Sequence, residues 1–192
     1  RVALDHCLTG MEFAAGIPGS VGGALVMNAG AYGSEIKNIL KSARVMTNEG
    51  EVLELSVDEL ELGYRTSCIP HRGYTVLEAS FQLEPGDQEA IEARMKELAA
   101  RRREKQPLEY PSAGSTFKRP QGYFAGKLIE DAGLRGYGMG GARVSEKHCG
   151  FVINGGNATA SDVMALCGHI RKTVMEQSGV ELEMEVKRWG EF

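Results

Sequence analysis

The sequence lacks the patterns that define several common classes of protein. Its four cysteines (Cys7, Cys68, Cys149 and Cys167) form no C-x-x-C pair, and its histidines show no metal-binding spacing such as H-E-x-x-H. We therefore expect reduced thiols and no metal site. No stretch of about 18 uninterrupted apolar residues is present, so the sequence predicts no membrane-spanning helix.

Strong charge of one sign is also absent. The formal net charge of −4 argues against a general nucleic-acid-binding protein, although a local basic pocket for an anionic substrate remains compatible with it. The first ten residues have neither the apolar core nor the cleavage site of a signal peptide. With 42% hydrophobic and 25% charged residues, the 192-residue chain is typical of a soluble globular protein, and we expect it in the cytoplasm.

Turn residues and periodicity divide the chain into elements. Residues 41–47 and 52–56 are predicted strands of a hairpin that turns at Asn48–Gly50, and residues 74–83 are a further strand. A helix is predicted from Gln88 to about Gln106, with Asp87 as its N-cap. We place a domain boundary before this helix.

The second half ends in a predicted helix and strand. Residues 160–177 carry apolar side chains at helical spacing, with Thr159 as N-cap, Asp162 three residues later and Gly179 just past the end. Residues 181–189 then alternate apolar and charged side chains, which is typical of a half-buried strand. That alternation predicts that Glu185 and Lys187 point the same way.

Glycine is abundant in one segment, residues 16–33, which reads GIPGSVGGALVMNAGAYG. Glycine has no Cβ and adopts positive φ readily, so such a segment can present backbone N–H groups to a phosphate or to the polar edge of a flat ring. A set of tight turns without any ligand is an equally weighted interpretation. The segment is neither a P-loop nor a G-x-G-x-x-G dinucleotide motif.

Four polar residues could take part in chemistry, but their local sequence assigns a role to none of them. Ser115 lies in the small-residue segment AGSTF, but no G-x-S-x-G motif surrounds it, and a solvated or backbone-bonding serine is the simpler interpretation. Arg65 and Glu185 are by default surface residues. His148 is most simply a packed histidine, although it could also border a cofactor.

Four separated motifs together resemble one family. They are GIPGSVGGALVMNAGAYG at 16–33, GYRTS at 63–67, SAGSTFKRP at 112–120 and LEMEVKRWG at 182–190. In this wording and order they resemble the bacterial UDP-N-acetylenolpyruvoylglucosamine reductases. YFAGKLIEDAG at 123–133 and VSEKHCGFVIN at 144–154 resemble the shorter class of the family, which lacks an extra tyrosine-bearing loop.

The resemblance implies a flavoenzyme of peptidoglycan synthesis. Its members use FAD and NADPH to reduce UDP-N-acetylglucosamine enolpyruvate to UDP-N-acetylmuramate, an oxidoreduction of a CH–CH bond. The chain would supply the C-terminal two-thirds of such an enzyme and lack the upstream flavin pyrophosphate loop. We therefore expect weak FAD binding and no activity from the chain alone, and no obligatory protein partner.

The resemblance also assigns residues to roles. It implies that Ser115 is a proton donor and that Arg65 and Glu185 stabilise the enolate-like charge that develops on the substrate. It implies a ring of cations around the substrate diphosphate, formed by Arg102, Lys105, Arg119 and Lys187, although some relatives have Asn at the Arg119 position and Arg at the Lys187 position. It assigns cofactor contacts to Gly16, Ile17, Pro18, Gly19, Ser20, Gly22, Gly23, Asn28, Gly30, Ala31, Tyr32 and Gly33.

The implied fold is α+β. Residues 1–86 would form the second lobe of a two-lobed FAD-binding domain, and residues 87–192 an α+β substrate-binding domain. Two other functions remain open on the sequence: a different flavin oxidoreductase, such as an alcohol or sugar oxidase, and a UDP-nucleotide-binding module without activity.

Overall fold

A computed structural model describes residues 1–190, and the last two residues of the predicted 87–192 domain lie outside that range. The chain has an α+β fold and divides into two compact units, residues 1–101 and the residues from 102 onward. Each unit has its own buried apolar cluster. Within the described range, no helix combines the length and apolar character needed to cross a membrane.

The first unit is built on a three-stranded antiparallel sheet in the order β5–β4–β6. Its elements are α1 (Val2–Asp5), β1 (Leu8–Thr9), α2 (Val21–Val26), β2 (Gly30–Ala31), β3 (Ser34–Glu35), β4 (Leu40–Met46), β5 (Val52–Ser56), β6 (Thr75–Phe81), β7 (Glu84–Pro85) and the start of α3 (Gln88–Lys105), with 3-10 turns at Glu12–Ala14 and Ile36–Asn38. Ala43 and Val45 of β4 are buried, because this central strand faces the apolar cluster.

The predicted hairpin is confirmed. β4 pairs with β5 in the register Met46↔Val52, and the Thr47 amide donates to the Glu51 carbonyl at 2.9 Å. Gly50 in the turn has φ +87°, a left-handed conformation that glycine adopts at little cost. The predicted 74–83 strand is also present, as the shorter β6.

The helix α3 begins where the sequence predicts it. The Ala90 amide donates to Asp87 Oδ1 at 2.8 Å, as expected of an N-cap. The division between the compact units falls inside this helix, between residues 101 and 102, whereas the sequence places a boundary before it. Most of the helix belongs to the first unit, where Ile91 and Leu98 are buried.

The second unit contains a four-stranded antiparallel sheet in the order β8–β11–β10–β9, and a long helix packs against it. Its elements are β8 (Ser112–Ser115), α4 (Ala125–Asp131), β9 (Gly138–Met139), β10 (Ala142–Val144), β11 (Phe151–Asn154) and α5 (Ala160–Ser178). Leu166, Ile170 and Val174 of α5 are fully buried, which confirms the predicted apolar stripe.

Both ends of α5 match the sequence prediction. Thr159 Oγ1 accepts from the Asp162 amide at 3.1 Å, and Asp162 Oδ2 accepts from the Thr159 amide at 2.9 Å, which completes a capping box. The hydrogen bond from the Thr159 backbone lowers the pKa of Asp162. Gly179 follows the helix with φ +69°.

The predicted strand over 181–189 is wrong. Only one residue of this segment, Met184, pairs as in a sheet, with Phe117 as its antiparallel partner. The apolar positions still face the core, since Leu182 is fully buried and Met184 packs against the same cluster, but the Leu182 carbonyl accepts from the Arg171 side chain at 2.9 Å rather than from a strand.

Candidate active site

The glycine-rich segment of the first unit is exposed at its beginning. Gly16, Pro18, Gly19 and Ser20 are all exposed, and Gly19 has φ +132°, which side chains other than hydrogen rarely allow. Ser20 Oγ accepts from the Gly23 amide at 3.1 Å and thereby caps α2. The segment is thus a set of turns that leads into an exposed helix start, and the first N–H groups of a helix have no acceptor within the helix itself.

The same segment ends in a tight hairpin. β2 and β3 are joined by Tyr32 and Gly33, both with positive φ (+54° and +85°), which is typical of a two-residue type I′ turn. The Tyr32 hydroxyl donates to the Leu98 carbonyl of α3 at 3.3 Å. This bond ties the tip of the hairpin to the helix.

Asn28 holds the middle of the segment in place. It is fully buried with φ +42°; its side-chain NH₂ donates to the Gly63 carbonyl at 3.0 Å, and its Oδ1 accepts from the Lys37 amide at 2.9 Å. Its polar side-chain atoms are therefore bonded to backbone. Any contribution of Asn28 to a cofactor site would come through the shape of the loop.

Arg65 lies in a tight turn that is fastened to the glycine-rich segment. Its φ is +54°, and the bridge between Gly63 and Thr66 closes the turn. Its guanidinium donates from Nη2 to the Gly30 carbonyl at 3.1 Å, and the buried hydroxyl of Ser67 donates to the Val26 carbonyl at 2.9 Å. Together with the Asn28 bond to Gly63, these contacts join the two motifs into one assembly.

Ser115 is the last residue of β8 and follows an irregularity in the sheet. Phe151 of β11 pairs with Ser115 and Ile153 pairs with Ser112, so two steps along β11 match three steps along β8. A β-bulge of this kind bends the strand and re-aims its side chains, and Gly114 within it has φ +83°. Ser115 is exposed after the bulge, whereas Thr116 is buried.

The backbone of Glu185 is bonded to Thr116, the residue that follows Ser115 in the chain. The Glu185 amide donates to the Thr116 carbonyl at 2.9 Å, next to the bridge between Phe117 and Met184. On the far side of that bridge, Lys118 pairs with Glu183, both through backbone and through their charged side chains. The structure therefore brings an exposed hydroxyl and a half-buried carboxylate onto adjacent segments of the second unit.

The candidate cations are distributed over three places in the second unit. Arg102 and Lys105 lie three residues apart in the last turn of α3, and so share a face. The Arg119 guanidinium stacks on the Phe124 ring at 3.9 Å from its centroid, and its Nε donates to the Tyr123 carbonyl.

Lys187 lines an open groove of about 710 Å³ at the C-terminal end of the described chain, together with Arg171 and Arg188. The two chain segments at the Phe117–Met184 bridge are antiparallel, so Arg119 and Lys187 leave it in opposite directions.

His148 packs against two glycines. A Cβ placed on Gly150 would lie 2.9 Å from His148 Cε1, and one on Gly126 would lie 3.1 Å from it. The Gly150 amide donates to His148 Nδ1 at 3.0 Å, and the imidazole meets the Phe151 ring edge to face. Burial of the ring lowers the pKa of His148, so the neutral imidazole is the favoured form at neutral pH.

No cluster of metal-ligating side chains occurs among residues 1–190. Cys68, Cys149 and Cys167 are buried, and burial raises the pKa of each, to about 11 for Cys167. These thiols are protonated at neutral pH and unreactive, because the thiolate is the nucleophile and the metal ligand.

Sequence reasoning missed two residues of this arrangement. Thr116 and Ser67 are both buried, and both use their hydroxyls to bond backbone groups that are distant in the chain. Nothing in the local spacing distinguishes either residue from an ordinary surface hydroxyl. Both residues lie inside quoted motifs, Thr116 in SAGSTFKRP and Ser67 in GYRTS, and that position is the only signal that the sequence offers.

Two family models match the chain. Residues 1–56 match the FAD binding domain, and residues 106–189 match the C-terminal domain of UDP-N-acetylenolpyruvoylglucosamine reductase. These matches fall in the first and second compact units respectively. They define the class of the chain: a segment similar to an FAD binding domain, followed by a segment similar to the C-terminal domain of that reductase.

Individual relatives carry the same name. The chain is 65% identical to the UDP-N-acetylenolpyruvoylglucosamine reductase of Lachnoclostridium phytofermentans over 97% of its length, and 62% identical to that of Agathobacter rectalis over 99%; in each case it covers 60% of the relative. The chain thus spans about three-fifths of the length of these curated relatives.

The crystal structure of the reductase from Thermus caldophilus matches with a TM-score of 0.86 at 35% identity, over 98% of this chain and 67% of that one. The chain belongs to the UDP-N-acetylenolpyruvoylglucosamine reductase family. The resemblance drawn from the four motifs is thereby confirmed, as is the α+β fold class.

Proposed function

We propose that the enzyme formed with this chain carries out the NADPH-dependent, FAD-mediated reduction of UDP-N-acetylglucosamine enolpyruvate to UDP-N-acetylmuramate, in peptidoglycan precursor synthesis. Family membership supports the reaction, since the relatives are named for it. The observation that carries the residue assignment is the approach of Glu185 to the segment that bears Ser115. The substrates are soluble metabolites, which favours a cytoplasmic enzyme without nucleic-acid, membrane or obligatory protein partners.

The first unit fits a flavin. The segment 16–33 offers exposed left-handed glycines, an exposed helix start at Ser20 and a tight hairpin at Tyr32 and Gly33, which together provide backbone N–H donors without obstructing Cβ atoms. Asn28 and Ser67 fix the shape of this surface from inside. FAD, when bound, supplies the hydride that it has taken from NADPH.

Ser115 is proposed as the proton donor. Addition of hydride to the terminal carbon of the enolpyruvyl group leaves the adjacent carbon carbanion-like, and the Ser115 Oγ proton completes the new C–H bond there. The serine alkoxide then regains a proton from solvent. The exposed position of Ser115 after the bulge allows such an approach to a ligand.

Arg65 and Glu185 are proposed to stabilise the negative charge that develops on the substrate during the reaction. Hydride addition builds enolate-like charge on the substrate carboxylate, and the guanidinium of Arg65 is suited to a carboxylate because it donates in a planar fork. Its bond to the Gly30 carbonyl limits its motion. Glu185 is proposed to share in the proton transfer.

The substrate diphosphate is proposed to bind cations of the second unit. Arg102 and Lys105 at the end of α3, Arg119 on Phe124 and Lys187 in the C-terminal groove are the candidates. Each can donate a charge-assisted hydrogen bond to a phosphate oxygen, and together they are proposed to surround the diphosphate.

The decisive experiment separates the two half-reactions by stopped-flow absorbance of the flavin. In the complete enzyme, S115A should leave flavin reduction by NADPH nearly unchanged and slow reoxidation by the enolpyruvyl substrate about 10²–10⁴-fold, as for loss of a general acid. Ser161 lies exposed on α5 in the same unit, away from the bulge, so S161A is the matched control and should slow neither step. Equal slowing of both half-reactions by S115A would show that this serine is structural.

A further inference from the structure

Thr116 is buried at the junction of three chain segments. It is 3% exposed; its amide donates to the Gly150 carbonyl at 2.9 Å, its Oγ1 accepts from the Val152 amide at 2.9 Å, and its carbonyl accepts from the Glu185 amide at 2.9 Å. Each bond has ideal length for an N–H donor and an oxygen acceptor. One residue therefore joins β8, β11 and the C-terminal segment.

The Thr116 hydroxyl compensates for the bulge. In the β8–β11 pairing the register shifts between Phe151 and Ile153, which is where Val152 lies. The Val152 amide bonds to a side-chain oxygen, Thr116 Oγ1, in place of a carbonyl of the neighbouring strand. An unpaired buried N–H is unfavourable, so the hydroxyl stabilises the irregular pairing that sets the direction of Ser115.

The Thr116 carbonyl sets the position of Glu185, the second candidate catalytic residue. The segment around Glu185 is not a strand, and next to the Phe117–Met184 bridge its backbone is held by this carbonyl and by the Lys118–Glu183 bond. A shift of Thr116 would therefore move Ser115 and Glu185 at once.

We propose that Thr116 is a positioning residue for the reduction, which fixes the geometry of Ser115 and Glu185 through its hydroxyl and its carbonyl. The proposal rests on the proposed function of those two residues. Thr116 itself contacts no reacting atom, because it is buried and its hydroxyl is bonded to Val152. A displacement of about 1 Å can slow a reaction about 100-fold.

Two substitutions separate the hydroxyl from the shape of the side chain. Val has the shape of Thr without the hydroxyl, and T116V would leave the Val152 amide unpaired. Ser keeps the hydroxyl and loses only a methyl group. A role in packing would make T116S the more harmful change, whereas the positioning role makes T116V the more harmful.

Thr47 provides a matched control in the first unit. It is also buried, and its Oγ1 accepts from the Glu49 and Glu51 amides in the β4–β5 turn. T47V removes two bonds of the same kind, where T116V removes one, from a threonine that the proposal gives no part in the reaction. It reports the effect of destabilisation alone.

The test uses stopped-flow kinetics of the complete, FAD-loaded enzyme. T116V should slow flavin reoxidation by the enolpyruvyl substrate about 100-fold and leave flavin reduction by NADPH unchanged, while T116S should stay within about threefold of the wild type in both steps. T47V should change neither rate. Unchanged reoxidation in T116V, or slowing by T116S as large as that by T116V, would overturn the positioning role.

The outcome is separable from the proposed function. If S115A slows reoxidation and T116V does not, the proton donor stands and the positioning role fails; if S115A has no effect, the assignment of Ser115 itself fails. Should T116V not fold, amide exchange in the wild-type enzyme still decides. The Val152 and Glu185 amides should exchange slowly, and fast exchange of Glu185 would show that Thr116 does not hold it.

Discussion

Replacement of Asn28 by alanine should loosen the first unit more than its size suggests. The side chain bonds Gly63 on one side and Lys37 on the other, and it occupies a left-handed backbone position with φ +42°. Asparagine tolerates this conformation better than alanine does. N28A therefore removes two hydrogen bonds and adds backbone strain.

The magnitude follows from these three contributions. A buried polar group left without its partner costs about 1–3 kcal/mol, and the lower value applies to each of the two groups because Lys37 is exposed and Gly63 only half-buried. The left-handed conformation costs alanine about 1 kcal/mol. The free energy of unfolding of the first unit should thus fall by about 3 kcal/mol.

Hydrogen exchange followed by mass spectrometry measures this loss unit by unit. A loss of about 3 kcal/mol predicts about 100-fold faster exchange in peptides that cover β4 and β6, with α5 in the second unit as the internal reference. N28G keeps the left-handed conformation accessible, so it should lose only about 2 kcal/mol. Exchange in N28A within threefold of the wild type would refute the reasoning.

Two further predictions concern titrating groups. Burial lowers the pKa of His148, so the unfolded chain binds more protons than the folded chain as the pH falls through the ordinary histidine value near 6.5. The urea midpoint of the wild type should therefore decrease below that pH, and the midpoint of H148Q should vary less. Parallel curves for the two proteins would contradict this. Ellman's reagent should modify one of the four thiols of the native chain, the exposed Cys7, and all four in denaturant; rapid reaction of a second thiol would show that one of the buried sites opens readily.

The elements that the sequence predicted correctly carry their own local signals. Thr159, Asp162 and Gly179 act within a turn of the α5 ends, and Asn48–Gly50 lies within its own hairpin. The 181–189 segment shows the limit of such signals. Its alternation reports that Leu182 and Met184 face the core, but only Met184 pairs as in a sheet, because the Leu182 carbonyl bonds the Arg171 side chain instead of a strand.

In the candidate site, too, the sequence identifies individual residues but not the distant contacts that hold them. The motifs identified Ser115, Arg65 and Glu185 by resemblance, but the bonds that hold them join residues 35 to 69 positions apart, such as Arg65 to Gly30 and Glu185 to Thr116. No periodicity encodes such pairs. Thr116 and Ser67 stand in the motifs, but the distant backbone groups that their hydroxyls bond are known only from the folded chain.

The bulge between Ser112 and Ser115 has a consequence for how this enzyme family can diverge. Between the paired ends of the bulge, β8 has one more residue than β11, so the direction of Ser115 depends on the number of residues in β8. It depends only weakly on which residue occupies an exposed position such as Ala113. Loss of one residue would restore regular pairing and turn the side chains that follow to the opposite face. Among relatives, insertions and deletions in this strand should therefore be rarer than substitutions at its exposed positions.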